Sequence, residues 1–204
     1  MNSTQSSATD SSIYNQFTDA ILKLVSTIPE SNEIVSDHPE IRAKHIARAA
    51  SLKASAISGA LAIPPGPLGM LTIIPDLLAV WKIQAQMVAN IAAAYNKKAN
   101  LSREVMIYCL FKHAASQAVR DLVVRAGERY LIKRTSLRAM QSILQKVGIK
   151  VTQKVAGKGA SRWLPIIGAI GVAGYAYYDT NGVAKAAMEL FSVEIEFDGS
   201  EVQS

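Results

Sequence analysis

Apolar residues recur every three or four positions along most of this chain, which is the period of helices that bury one face. Proline, glycine and asparagine interrupt that period and mark where the predicted helices begin and end. The predicted helices cover residues 13–28, 39–61, 75–95, 103–126, 128–156 and 163–191. The third could begin as early as Leu68, and the fifth could be one helix or two. The pattern predicts an all-α fold, a compact multi-helix bundle with corners at Pro64–Pro67 and Gly157–Gly159.

The two ends of the chain depart from the helical period. Residues 1–12 are polar and rich in serine and threonine, so we expect a disordered tail there. Phe191–Phe197 alternates apolar and polar residues with the period of a strand. Because no second strand is predicted, we favour a short, extended acidic tail over residues 193–204; the alternative is a strand that pairs with a partner or another copy. A chain of 204 residues suits one domain, which we place at residues 13–192.

Two long stretches, residues 54–75 and 163–178, carry no charge. Prolines interrupt the first, so it cannot be one straight membrane-spanning helix. The second is short for a span and has Gly168, Gly171 and Gly174 at every third position, which forms a groove where another helix can approach closely. We favour burial within the protein for both stretches. The alternative is that one or both dock on lipid, the first as a shallow hairpin.

Charge is distributed unevenly along the chain. The net charge is +6, yet residues 112–162 contain twelve Lys or Arg and only two acids. Within this segment a basic residue stands at every fourth position, in a series that we call the basic ladder: Lys146, Lys150, Lys154, Lys158 and Arg162. We predict that the ladder binds an anionic surface. The alternative is a solvated helix face beside the core.

A basic segment of this kind has three kinds of complementary partner: nucleic acid, an anionic membrane surface with its proteins, and an acidic protein. Proteins that bind single-stranded nucleic acid stack bases on aromatic side chains. Tyr130 is the only aromatic residue between Lys112 and Arg162, and no nucleic-acid-binding motif is present. The sequence therefore favours a membrane or a protein partner over nucleic acid.

No pattern in the sequence indicates catalysis, a metal or a cofactor. His38, His45 and His113 lie on different segments, and no zinc, nucleotide-phosphate or nucleophile-elbow motif occurs. Cys109 and His113 are four residues apart on one predicted helix and could pair as nucleophile and base, but a buried structural cysteine is the preferred interpretation. The single cysteine and the lack of a signal-peptide pattern at the start of the sequence favour a cytoplasmic location.

Polar residues on the third predicted helix are the remaining candidates for a site. Asp76, Gln84 and Gln86 approach one side of this otherwise apolar helix over two to three turns. Buried polar groups need hydrogen-bond partners, so we predict that these residues form a buried network between helices. The alternative is that Asp76 only caps the helix behind Pro75.

Several short motifs resemble those of the EcsC family, helical bacterial proteins of which the best known is encoded beside an ABC transporter. They are Pro65-Gly66-x-x-Gly69, Ile74-Pro75-Asp76, Ile91-Ala-Ala-Ala-Tyr95, and Lys158 followed by Pro165-x-x-Gly168-Ala169. The resemblance covers about residues 45–190 and departs at Asn96, where the family often has glycine. It implies an all-helical, membrane-associated bacterial protein, and it supplies no catalytic residues.

The sequence thus predicts a non-enzymatic helical protein on the cytoplasmic face of a membrane, held there peripherally or by an inserted hairpin. Its basic helices would contact anionic lipid or a membrane protein. The alternative function is that of a soluble helical module that binds an acidic protein partner.

Overall fold

The structure is a computed structural model, and it describes residues 18–61, 73–156 and 165–198. The described chain is mainly helical, as predicted, and it also contains a small sheet. The helices are α1 (residues 18–26), α2 (Pro39–Leu61), α3 (Ile73–Ala94), α4 (Arg103–Val119), α5 (Leu137–Ala156) and α6 (Pro165–Phe191), and the strands are β1 (Val123–Ala126), β2 (Arg129–Ile132) and β3 (Glu194–Phe197). Residues 1–12 and both predicted corners, Pro64–Pro67 and Gly157–Gly159, lie outside the described residues.

Helix α2 packs most extensively on α6 and also contacts α3. The buried face of α2 consists largely of small residues, which let helix backbones approach closely: Ala43, Ala47, Ser51, Ala54 and Ser58. Larger apolar residues of the same helix, Ile41 and Leu52, are exposed. The small residues therefore let the backbones of α2 and α6 approach each other closely.

Helix α3 ends in a hydrogen-bonded cap around Asn96. Asn96 has a φ of +57°, the left-handed conformation that asparagine tolerates at a helix end. The N–H of Asn96 donates to the carbonyl of Ala93, and the N–H of Lys97 donates to the carbonyl of Ala92. These two bonds form a Schellman motif, and they confirm the predicted end of this helix.

The hydrophobic core forms where α3, α4 and α6 meet, and side chains from α1, α2, α5 and the sheet join it. At its centre the rings of Trp81 on α3 and Phe111 on α4 pack edge to face, with centroids 5.7 Å apart. Helix α5 adds Met140, Leu144 and Val147 to the core and contacts α4. Helix α6 runs without a break through Asp179–Gly182.

The sheet corrects the prediction of an all-α fold. A single helix over residues 103–126 is wrong, because α4 ends at Val119 and β1 begins at Val123. Strands β1 and β2 form an antiparallel hairpin across Gly127 and Glu128. Gly127 has a φ of +63°, which suits glycine at the first position of a two-residue hairpin loop. Helix α5 accordingly begins at Leu137 and not at residue 128.

The prediction of an unpaired C-terminal tail is wrong as far as residue 197, because this segment forms a strand. Glu194–Phe197 forms β3, which pairs in parallel with β2. This strand explains the alternation along Phe191–Phe197, because successive residues of a strand face opposite sides: Ile195 is buried and Glu194 points to solvent. Residues 199–204 of the predicted acidic tail lie outside the described residues.

Candidate functional site

A polar cluster lies between α3, α4 and α6 in an otherwise apolar interior. The carboxylate of Asp179 on α6 lies 2.7 Å, through Oδ1, from Nε2 of His113 on α4. Its Oδ2 accepts a hydrogen bond of 2.9 Å from Nε2 of Gln84 on α3, and the same Nε2 lies 3.1 Å from Oγ1 of Thr180. Gln84 and Thr180 are completely buried. The cluster therefore connects three helices through a single carboxylate.

Tyr175 is a further member of this cluster, one helical turn before Asp179. Burial, together with the charge of Asp179 and a hydrogen bond to it, raises the pKa of Tyr175 to about 12. The tyrosine is therefore a neutral phenol at physiological pH.

Two polar atoms of the cluster have no hydrogen-bond partner among the described residues, Oε1 of Gln84 and Nδ1 of His113. Both atoms are buried. Neither ring nitrogen of His113 is thus available to a reactant, since Asp179 binds Nε2 and Nδ1 is enclosed. In this geometry the histidine connects α4 to α6 through Asp179.

A surface groove of about 370 Å³ opens beside the cluster, between α4 and α6. His113, Ser116 and Lys185 are among the residues that line it. At one end Nζ of Lys112 lies 2.7 Å from Oε2 of Glu189. Within the described residues, no group of three or more His, Cys, Asp or Glu side chains is placed to hold a metal ion.

Cys109 lies one turn before His113 on α4 and is completely buried. Burial raises the pKa of its thiol to about 12. The thiolate is the nucleophilic form of cysteine, so this side chain is unreactive in the folded protein.

The residues predicted for the buried network occupy different places. Gln84 lies in the polar cluster, where its Nε2 donates to Asp179 and Thr180, both on α6. Gln86 lies on the surface, where its Nε2 donates to the carbonyl of Glu30 at 2.9 Å and to Oδ1 of Asn90 at 3.0 Å. Asp76 belongs to α3, but its side chain lies outside the described residues.

The basic ladder is only partly described. Lys146 is exposed on α5, whereas Lys150 and Lys154 belong to the same helix but have side chains outside the described residues. Lys158 and Arg162 lie outside the described residues altogether. The buried stripe of α5 contains Leu144, and Lys146 lies about 200° around the helix from it. Arg138, which is also exposed, adds a fourth positive charge to a helix without an acidic residue.

The C-terminal segment neutralises part of the basic region. The guanidinium of Arg129 on β2 contacts Glu194 at 3.3 Å and Glu196 at 2.5 Å, both on β3. Tyr130 is buried and donates from its hydroxyl to Oε1 of Glu189 at 2.9 Å. Glu194 and Glu196, which the sequence places in an acidic tail, are thus counter-ions of the hairpin.

Within the described residues, one stretch of helix, Leu77–Ala94 on α3, is long and apolar enough to cross a membrane. Of that stretch, 61% is buried inside the protein. A core helix meets the same criteria, so the stretch is weak support for a membrane span.

No family model, no curated protein and no solved structure matches this chain.

Proposed function

We propose that this protein is a compact helical-bundle protein of the EcsC kind that binds the anionic cytoplasmic face of a membrane through helix α5. The observation that carries the proposal is the charge of α5, which has four basic residues and no acidic one. Its apolar stripe packs toward α4, and Arg138 and Lys146 are exposed to a partner. An amphipathic basic helix of this kind is typical of elements that lie on membrane surfaces.

The exposed residues of α5 suit a lipid surface in two ways. Each basic residue near an anionic leaflet contributes about 1 kcal/mol to binding, an attraction that falls as salt rises. Two apolar side chains of the helix are also exposed, Leu137 by 57% and Ile149 by 39%. Ile149 follows Lys146 by one turn, so an apolar group stands beside a positive charge, as at a headgroup boundary.

The buried position of Tyr130 argues against nucleic acid as the partner. It is the only aromatic residue between Lys112 and Arg162, and its exposed fraction is 4%. Its ring cannot stack on a base while its hydroxyl binds Glu189. An acidic protein remains the alternative partner, since it would meet the same charges.

The polar cluster supports a structural and non-enzymatic function. The hydrogen bonds of Asp179 run to α3 and α4, and of the two ring nitrogens of His113, Nε2 is bound to Asp179 and Nδ1 is enclosed. We therefore assign the cluster to holding α3, α4 and α6 in register, and α5 packs on α4.

Binding to lipid vesicles tests the proposal, with two variants that each lower the net charge from +6 by four. The α5 variant replaces by glutamine all four basic residues of that helix: Arg138, Lys146, Lys150 and Lys154. The control variant replaces four exposed basic residues of α1, α2 and α3 by glutamine: Lys23, Arg48, Lys53 and Lys82.

At low salt the parent protein should sediment with vesicles that contain phosphatidylserine and not with neutral phosphatidylcholine vesicles. The α5 variant should bind at least about tenfold more weakly, and the control variant should stay within about threefold of the parent. Equal binding by the two variants would refute the role of α5. If the parent ignores both kinds of vesicle, an acidic protein becomes the better partner.

A further inference from the structure

The face of the sheet that carries Arg129 brings opposite charges together. In the parallel register of β2 and β3, Arg129 is opposite Glu194, and Leu131 is opposite Glu196. Alternate residues of a strand share a face, so both glutamates lie on the side of Arg129. Its guanidinium contacts both carboxylates, through Nε to Glu194 and through Nη1 to Glu196.

Two further residues near the C-terminal end of the described chain, Glu189 and Phe197, also contact basic side chains. Glu189, near the end of α6, binds Nζ of Lys112 at 2.7 Å and the hydroxyl of Tyr130 at 2.9 Å. The guanidinium of Arg134 lies over the ring of Phe197, 5.9 Å from its centroid. Residues 189–197 therefore contact three basic side chains: Lys112, Arg129 and Arg134. All three belong to residues 112–162, which carry twelve of the 22 basic residues of the chain.

The contacts of Arg129 are easily exchanged for others. The side chains of Arg129, Glu194 and Glu196 are 53%, 62% and 43% exposed. Ion pairs as exposed as these add little to stability and are screened by salt. The carboxylates can turn away while the backbone of β3 stays paired with β2, so releasing Arg129 does not require the sheet to open.

We infer that β3 is an intramolecular competitor, whose two glutamates occupy Arg129 and so limit the binding of the protein to anionic lipid. The inference rests on the proposed function, because it concerns the regulation of that membrane contact. When the phosphates of a bilayer approach, they replace Glu194 and Glu196 at the guanidinium, and the hairpin becomes a second contact with the membrane. The repulsion between the two carboxylates and the bilayer sets how much negative lipid is needed.

Removing the two carboxylates tests this inference in the full-length protein. The double variant Glu194→Gln and Glu196→Gln should bind phosphatidylserine vesicles roughly five- to tenfold more tightly than the parent at low salt. It raises the net charge by two, so its control is the double variant Glu30→Gln and Glu40→Gln, which changes exposed acids before and at the start of α2 by the same amount. The control should bind within about twofold of the parent.

A second comparison shows whether Arg129 is the group released. In a protein that already carries Arg129→Gln, the same change at Glu194 and Glu196 should still strengthen vesicle binding, but by less than half as much binding free energy as in the parent. A full gain there, or an equal gain in the control at Glu30 and Glu40, would mean that bulk charge is responsible and would overturn the inference.

The proposed function and this inference fail in different ways. If the parent binds anionic vesicles through α5 but the change at β3 has no effect, the inference alone is overturned. If neither the parent nor the β3 variant binds anionic vesicles, both are overturned. Thermal unfolding of each variant should stay within a few degrees of the parent, because the substituted side chains are exposed.

Discussion

Gly182 on α6 lies against the imidazole of His113 on α4, so closely that a Cβ at position 182 would lie 2.8 Å from Cγ of that ring. The same ring is held by Asp179, three residues earlier on α6. The glycine is therefore required by the approach of the histidine, and the two residues together set the distance between α4 and α6 next to the polar cluster.

We expect Gly182→Ala to destabilise the protein, because the added methyl group would push His113 away from Asp179. Overpacking of this kind costs about 1–3 kcal/mol, which exceeds the gain of up to about 1 kcal/mol that alanine brings to a helix. Urea unfolding should show the loss. Gly174→Ala on the same helix is the matched control, since a Cβ there would meet nothing within 4 Å. It should leave the protein as stable as before or slightly more so, and equal effects at the two positions would contradict the packing described here.

Replacing Asp179 should have a larger effect than replacing any exposed acid. In Asp179→Ala, Nε2 of His113 loses its hydrogen-bond partner and Nε2 of Gln84 keeps only Thr180, and a buried polar group left unpaired costs about 1–3 kcal/mol. Asp121→Ala is the control, because the side chain of Asp121 is 79% exposed and its ion pair with Arg120 is long, at 3.4 Å. It should change the free energy of unfolding by no more than about 0.5 kcal/mol. Similar losses in the two variants would argue against a buried role for Asp179.

Cys109 should resist thiol reagents until the protein unfolds. Its thiol is buried and has a pKa of about 12, so both access and the thiolate form are lacking at pH 8. Labelling should be slow in buffer and fast in denaturant. With Ser26→Cys, an exposed position on α1, a second cysteine should react at once under native conditions. Rapid labelling of Cys109 in the parent would show that α4 is less tightly packed than described.

The contribution of Glu189 to stability should depend on pH. Its hydrogen bond with Lys112 lowers the pKa of the Glu189 carboxyl below its usual range. A carboxyl whose pKa is lower in the folded than in the unfolded state adds stability above its unfolded value, and this is lost as the pH falls through the folded value. The parent should therefore exceed Glu189→Gln in stability at pH 7, by about 1 kcal/mol or less for a half-exposed side chain. The difference should begin to shrink as the pH falls below about 4.3, the ordinary pKa of a glutamate, and should disappear below the lower pKa of the folded state. A difference that stays constant from pH 7 to pH 3 would mean that the ion pair is not its source.

The helical part of the fold could be predicted because its signals are local. Pro39 opens α2 and Asn96 closes α3, and each acts through its own backbone conformation. The hairpin could not be found in the same way, because strands of four residues are too short to show an alternation within a helical pattern. The helical pattern makes Gly127 the end of a helix, whereas it lies in the turn between β1 and β2.

The polar cluster shows why the candidate site was predicted only in part. Gln84 was singled out because a buried amide on an apolar helix needs partners, but those partners lie 95 and 96 residues away on α6. No local pattern connects His113 with Asp179, since they are 66 residues apart. The one signal that could have pointed to them is Gly182, because a glycine inside a helix is costly unless another side chain approaches there.

Membrane fractionation of cells that produce the protein tests the central claim, a surface contact between α5 and anionic lipid, most directly. Membranes would be pelleted at low ionic strength and washed separately with high salt, with alkaline carbonate and with detergent. We predict that the protein sediments with the membranes and that a high-salt wash is sufficient to release it. The α5 variant should stay largely in the soluble fraction. Release by detergent only would indicate an inserted segment, and recovery of the parent protein in the soluble fraction at low salt would contradict the account.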